Sequence, residues 1–161
     1  MRLNNRARAG AYRFFATLIL VLFIIGCVVF LLEILHLKVL TQWLGLILIG
    51  VSAVLGIIFV LRGRPIFEYD SDGEALHLKN SHILPFSKAL NDEFPKYKML
   101  SFEVIDAVIL RRLYIRISSR KNHPIILKYE ISYLKEKEVQ DLRTSLNKLI
   151  RTNQENRESR S

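Results

Sequence analysis

Six cations crowd one stretch of this sequence, Arg111, Arg112, Arg116, Arg120, Lys121 and Lys128, and from Ala107 to Tyr129 no acid interrupts them. Groups of this type suit one kind of chemistry, the holding of anions. Near a membrane surface each such cation contributes about 1 kcal/mol toward an anionic headgroup, and an acidic protein surface is met in the same way. Solvated arginines facing out from a strand are the plain alternative. Arg112, Tyr114, Arg116 and Ser118 alternate with Leu113, Ile115 and Ile117, so a strand here places the two sets on opposite faces. Nucleic acid is not expected, because no recognition motif accompanies the charge.

Other reactive side chains do not assemble into a site. His36, His77, His82 and His123 are scattered, without cysteines or acids at metal-ligand spacing. There is no phosphate-binding loop and no nucleophile elbow. Catalytic residues, metal, cofactor and small-molecule substrate are therefore not expected, and the chain reads as non-enzymatic. Asp70-Ser71-Asp72-Gly73 opens like a calcium loop, but Ser81 stands where a bidentate Glu is needed, so it reads as a hairpin turn. Glu33 and His36, one helical turn apart, suit a proton relay inside a membrane; at its edge they read as a snorkelling pair.

The elements that must position the cations begin with two apolar blocks. Residues 14–32 and 43–61 carry no charge, and at about 1.5 Å per residue each reaches about 28 Å, the thickness of a bilayer hydrocarbon core. They read as a transmembrane helical hairpin with a short external connector. Arg2, Arg6, Arg8 and Arg13 precede it, Arg62 and Arg64 follow at once, and the net charge of the chain is +9. Basic flanks predict both termini on the cytoplasmic side. On the second helix Gly45, Ser52 and Gly56 share a face that permits close helix packing, against the first helix or against another subunit. The single cysteine excludes an internal disulfide. Cys27 reads as a small core hydrophobe; Ile24-Ile25-Gly26-Cys27 also looks like a lipidation box, but the apolar run continues through Val28 to Leu32.

Residues 1–13 read as a basic, solvated leader, 65–151 as one cytoplasmic domain and 152–161 as a disordered polar tail. In the domain, strands are predicted at 66–69 and 75–79 around the turn. Residues 81–98 read as a long functional loop or lid, strands resume at Met99, and a bulge or tight turn is expected at Arg111-Arg112. A last strand covers 124–131. Ser132 is a candidate N-cap for a closing helix whose apolar stripe is Val139, Leu142, Leu146, Leu149 and Ile150.

Short strands ending in one amphipathic helix follow the order of a pleckstrin-homology-type barrel. The runs Phe67-Glu68-Tyr69-Asp70-Ser71-Asp72-Gly73-Glu74, Glu93-Phe94-Pro95-Lys96-Tyr97-Lys98 and Ile131-Ser132-Tyr133-Leu134-Lys135 resemble small bacterial, Bacteroidetes-type, two-helix membrane proteins with such a domain. The resemblance implies a membrane α+β chain in the bacterial inner membrane: a two-helix hairpin, then an antiparallel barrel or sandwich capped by the helix. It also implies a binding or scaffolding role. The expected function is a membrane-anchored interaction module that docks a protein partner or an anionic lipid surface, with self-association through the hairpin a further expectation. An accessory subunit of a transport or export complex is the second reading.

Overall fold

In the computed structural model the residues described are 1–35, 43–83, 88–119 and 123–159. They divide into two compact units, one of Met1–Ala9 with Arg62–Ser161, the other of Gly10–Leu61. Chain order accounts for the division. A short strand, β1 (Arg2–Asn4), precedes the helices α1 (Ala9–Ile34) and α2 (Leu44–Leu61), and β2 (Ile66–Asp70) follows them. β1 pairs antiparallel with β2, Leu3 opposite Tyr69, so the two helices are an excursion between neighbouring strands of one sheet.

That pairing corrects the reading of the first residues as a solvated leader. Three residues with a single apolar side chain carry no local strand signal; the partner strand supplies the backbone hydrogen bonds and buries Leu3. Asn5, expected in water, is only 1% exposed. Its side-chain amide donates to the Pro65 carbonyl at 2.8 Å, and its Oδ1 accepts from the Phe67 N–H at 2.8 Å. One buried side chain thus fastens the chain where it leaves for α1 to the chain where it returns from α2.

The helical unit is apolar on all sides. Both helices are long and apolar enough to cross a membrane, and their large side chains point outward, Leu20 59% and Val60 74% exposed. Gly26, Gly45 and Ser52 lie inside. A Cβ on Gly26 would sit 2.9 Å from the Ile49 nitrogen, and one on Gly45 2.8 Å from the Phe30 nitrogen. Only glycine lets the two backbones approach this closely. Buried Ser52 donates its hydroxyl to the Leu48 carbonyl at 2.6 Å, satisfying it within α2.

The other unit continues with β3 (Ala75–Ser81), β4 (Leu90–Pro95), β5 (Met99–Asp106), β6 (Arg111–Ile117), β7 (Ile125–Glu130) and α3 (Glu136–Glu158). The strands form two antiparallel sheets, β1-β2-β3-β4 and β5-β6-β7. Among the described residues they do not close into a barrel, which corrects that part of the expectation. Phe67, Leu76 and Leu78 from the first sheet, Leu113, Ile115 and Tyr129 from the second, and Val139, Leu142 and Leu146 from α3 share one core. Asn80, fully buried, ties the sheets together. Its amide donates to the Ile66 and Glu130 carbonyls at 3.1 and 3.0 Å, and its Oδ1 accepts from the Glu130 N–H at 3.1 Å.

Three boundaries differ from the sequence reading. Within 81–98, Leu90–Pro95 is strand β4, because Leu90, Asp92 and Phe94 turn one side toward the core and the backbone pairs with β3; residues 84–87 lie outside the described residues. Helix α3 starts after Lys135, whose N–H the Glu138 carboxylate accepts at 2.7 Å. Ser132 instead exchanges hydrogen bonds with the Arg111 backbone. At its other end α3 runs to Glu158, through seven residues read as tail. Asn153 anchors it, donating to the Lys96 and Met99 carbonyls at 2.8 and 3.1 Å. This tertiary contact does what the polar local sequence does not.

Candidate functional site

The register of the three-stranded sheet decides which cations share a surface. In β6, Leu113 and Ile115 are buried while Arg112, Tyr114 and Arg116 face the other way, as their alternation predicts. Opposite those three on β5 stand Ile105, Glu103 and Ser101; on β7 stand Glu130, Lys128 and Ile126. The outward face is therefore mixed. Ile105 and Ile126 are 44% and 55% exposed beside the cations, and a shallow groove of about 400 Å³ runs between Tyr114, Arg116, Ile126 and the β5 side chains.

Among the described residues, Arg112, Arg116 and Lys128 form no ion pair. Folding nonetheless brings acids near the cationic stretch. Glu103 shares the face, and Glu130 stands across from Arg112. The Glu130 carboxylate is engaged by Arg64, accepting its N–H at 2.7 Å with the guanidinium at 3.6 Å. Gly63 stands at φ +79°, where L side chains are strained, so this exit from α2 favours glycine; a Cβ there would also push the end of the Glu130 side chain aside.

Arg111 does not belong to the face. Its place in β6 has the parity of Leu113 and Ile115, and its guanidinium bridges Asp106 across the hairpin and Glu136 in the first turn of α3, the latter at 2.9 Å. The hydrogen bond from Arg111 holds the Asp106 carboxyl below its ordinary range, and the same bond raises Arg111 further. Arg111 is a structural clasp. Arg120 and Lys121 lie outside the described residues, as does His36.

The expected turn at Arg111-Arg112 lies earlier in the chain. Residues 107–110 make it, closed by the Ala107 N–H donating to the Leu110 carbonyl at 2.9 Å. The β-bulge falls instead between Met99 and Ser101.

Of the helix-packing residues, Gly45 and Ser52 are buried, and Gly56 has room for a Cβ 3.8 Å from Ile19. They pack against α1 of the same chain. The counterpart that sequence reasoning missed is Gly26, which was visible only as an isolated small residue inside α1. Cys27 sits half-buried in a helix that continues without interruption to Ile34.

The histidines stay apart. His77 stands 3.3 Å from Glu93 across two strands at the surface, and His82 is pushed down by burial, with Arg64 adding to the effect. Among the described residues no group of three His, Cys, Asp or Glu side chains is placed to hold a metal ion. A larger cleft of about 670 Å³ lies between Tyr97, Ser118, Asn153 and Arg157. Its polar groups include the Asn153 amide that fastens α3 to the 96–99 segment.

Comparison with protein-family models, with curated proteins and with solved structures finds no match for this chain.

Proposed function

We propose that this chain is a non-enzymatic, membrane-anchored interaction module. Helices α1 and α2 hold it in the bilayer, and the outer face of β5–β7 docks a protein partner with an acidic, partly apolar surface. One observation carries the reading: Arg112, Arg116 and Lys128 stand without carboxylate partners among the described residues, interleaved with exposed Ile105 and Ile126. Arg112 and Arg116 are about 13 Å apart along the strand, and a shallow groove lies beside Arg116. Such a surface suits a macromolecule better than an enclosed small ligand.

The pairing of β1 with β2 supports a hairpin whose two ends emerge on one side of the bilayer. The arginines flanking it support the cytoplasmic side. Four strands plus three, followed by one helix, support a pleckstrin-homology-like reading of the domain. Gly45 and Ser52 are covered by α1 of the same chain, so these two small residues lend no support to the accessory-subunit reading.

The test is triple charge reversal, Arg112→Glu with Arg116→Glu and Lys128→Glu, followed by mass spectrometry of the protein extracted from native membranes in gentle detergent. The wild-type chain is expected to carry a stoichiometric acidic protein that the variant loses while remaining in the membrane fraction. An unchanged set of co-purifying chains contradicts the proposal. Loss of bound anionic lipid alone assigns the face to the membrane surface instead.

A further inference from the structure

The turn between β5 and β6 departs from ordinary turn chemistry. Its residues are Ala107, Val108, Ile109 and Leu110, where Gly, Asn, Asp or Pro commonly stand. Val108 is fully exposed and Ile109 43% exposed. A solvated turn gains nothing from this composition, since the apolar side chains remain in water. The base beneath it is fixed. Arg111 bridges Asp106 and Glu136, its N–H donates to Ser132 Oγ at 2.9 Å, and its carbonyl accepts from the Ile131 N–H at 2.9 Å. The structure thus presents an apolar tip on a rigid support.

The location of the tip indicates what covers it. Val108, Ile109 and Leu110 line a small cavity of about 230 Å³ together with Arg62, and Arg62 is the residue that directly follows α2. Arg62 is fixed there, donating to the Ser132 carbonyl at 3.3 Å with its guanidinium 4.8 Å from the centre of the Tyr133 ring. The tip therefore lies at the end of the domain where the chain passes into the helical segment. Arg62 beside the tip and Arg112, two residues after Leu110 in the chain, are cations of the kind that meet headgroup phosphates.

We infer that the 107–110 turn inserts into the interfacial layer of the bilayer crossed by α1 and α2, a second membrane contact besides the covalent one. The inference rests on the reading of those helices as membrane-spanning. Val, Ile and Leu fill the boundary between headgroups and acyl chains, and the two arginines sit at headgroup level. Strand β6 then leads away from the bilayer, carrying Arg116 about 20 Å from the turn, out to where a protein partner reaches it.

The experiment uses the full chain in vesicles of phosphatidylcholine and phosphatidylglycerol, in a Cys27→Ala background. Spin labels are placed on Val108→Cys, on Val54→Cys of α2, and on Glu74→Cys in the exposed β2–β3 turn. Collision with oxygen, which concentrates in lipid, is compared with collision with a water-soluble nickel chelate. The expected result is oxygen-dominated relaxation at positions 54 and 108 and nickel-dominated relaxation at 74. Oxygen dominance at 54 with nickel dominance at 108 overturns the inserted tip and leaves the anchor standing. Nickel dominance at 54 overturns the membrane reading and the tip with it.

Discussion

The helical unit and the β-domain bury opposite things. In the domain the inside is made of large side chains: Leu76, Leu78, Leu113, Ile115, Leu142 and Leu146 are all at 0% exposure. In the helices the inside is Gly26, Gly45 and Ser52, while Phe14, Leu20 and Val60 are 65%, 59% and 74% exposed. The domain is organised against water, gaining from apolar area removed from it. The helices, long and apolar enough to cross a membrane, instead pack through close approach of their backbones at small residues and leave their large side chains outside. One chain thus packs in two ways, and within the domain the clasp of Asn5 on Pro65 and Phe67 holds together the two points where the chain leaves for the helices and returns from them.

The contrast sets the direction in which each unit breaks. In the domain, removing bulk does most damage: Leu142→Ala is expected to destabilise it by about 3 kcal/mol through an unfilled cavity, read by denaturant unfolding. In the helices, adding bulk does so. Gly45→Leu is expected to cost about 2 kcal/mol, because the new side chain meets the Phe30 backbone rather than a movable group. Gly50→Leu, with nothing within 4 Å of the new Cβ, should leave thermal stability in detergent unchanged. Equal losses for the two glycines would remove the basis of the contrast.

Asn5→Ala tests the clasp that closes the domain around the helical excursion. It strips partners from buried backbone groups of the returning chain, at an expected cost of about 2 kcal/mol to the domain, and hydrogen exchange should rise at β1 and β2 first. A smaller effect is expected at Tyr129, whose hydroxyl donates to Asp92 at 2.7 Å. Burial, reinforced by Asp92, pushes that phenol far above its ordinary value. A raised value means the contribution is complete below about pH 10 and is lost as pH climbs further. Tyr129→Phe should lower stability by about 1 kcal/mol at neutral pH and flatten the alkaline decline. An unchanged alkaline limb would show that Tyr129 is not its source.

The sequence showed the parts whose signal is local. Long uncharged runs marked α1 and α2, the Asp-rich turn ending in Gly73 marked the β2–β3 hairpin, and the spacing of Val139, Leu142 and Leu146 marked α3. Parts held by distant partners were not visible. β1 is three residues that become a strand only against β2, and the polar run Asn91-Asp92-Glu93 within β4 reads as loop until β3 supplies a register. The 107–110 turn was hidden because its residues look like strand interior. The candidate face was legible in half: alternation in β6 placed Arg112 and Arg116 together, but Arg111 was claimed by Asp106 and Glu136, and Glu103 joined from another strand.

The most direct measurement compares the full chain with one in which residues 10–61 are replaced by a short Gly-Ser linker. Both are followed through an alkaline carbonate wash of membranes and then by circular dichroism and thermal unfolding. If the helices are an anchor inserted between two strands of a self-sufficient domain, the full chain resists the wash. The shortened chain is then recovered in the aqueous fraction, folded and unfolding cooperatively. Release of the full chain by the wash, or a shortened chain that is unfolded, would contradict that architecture.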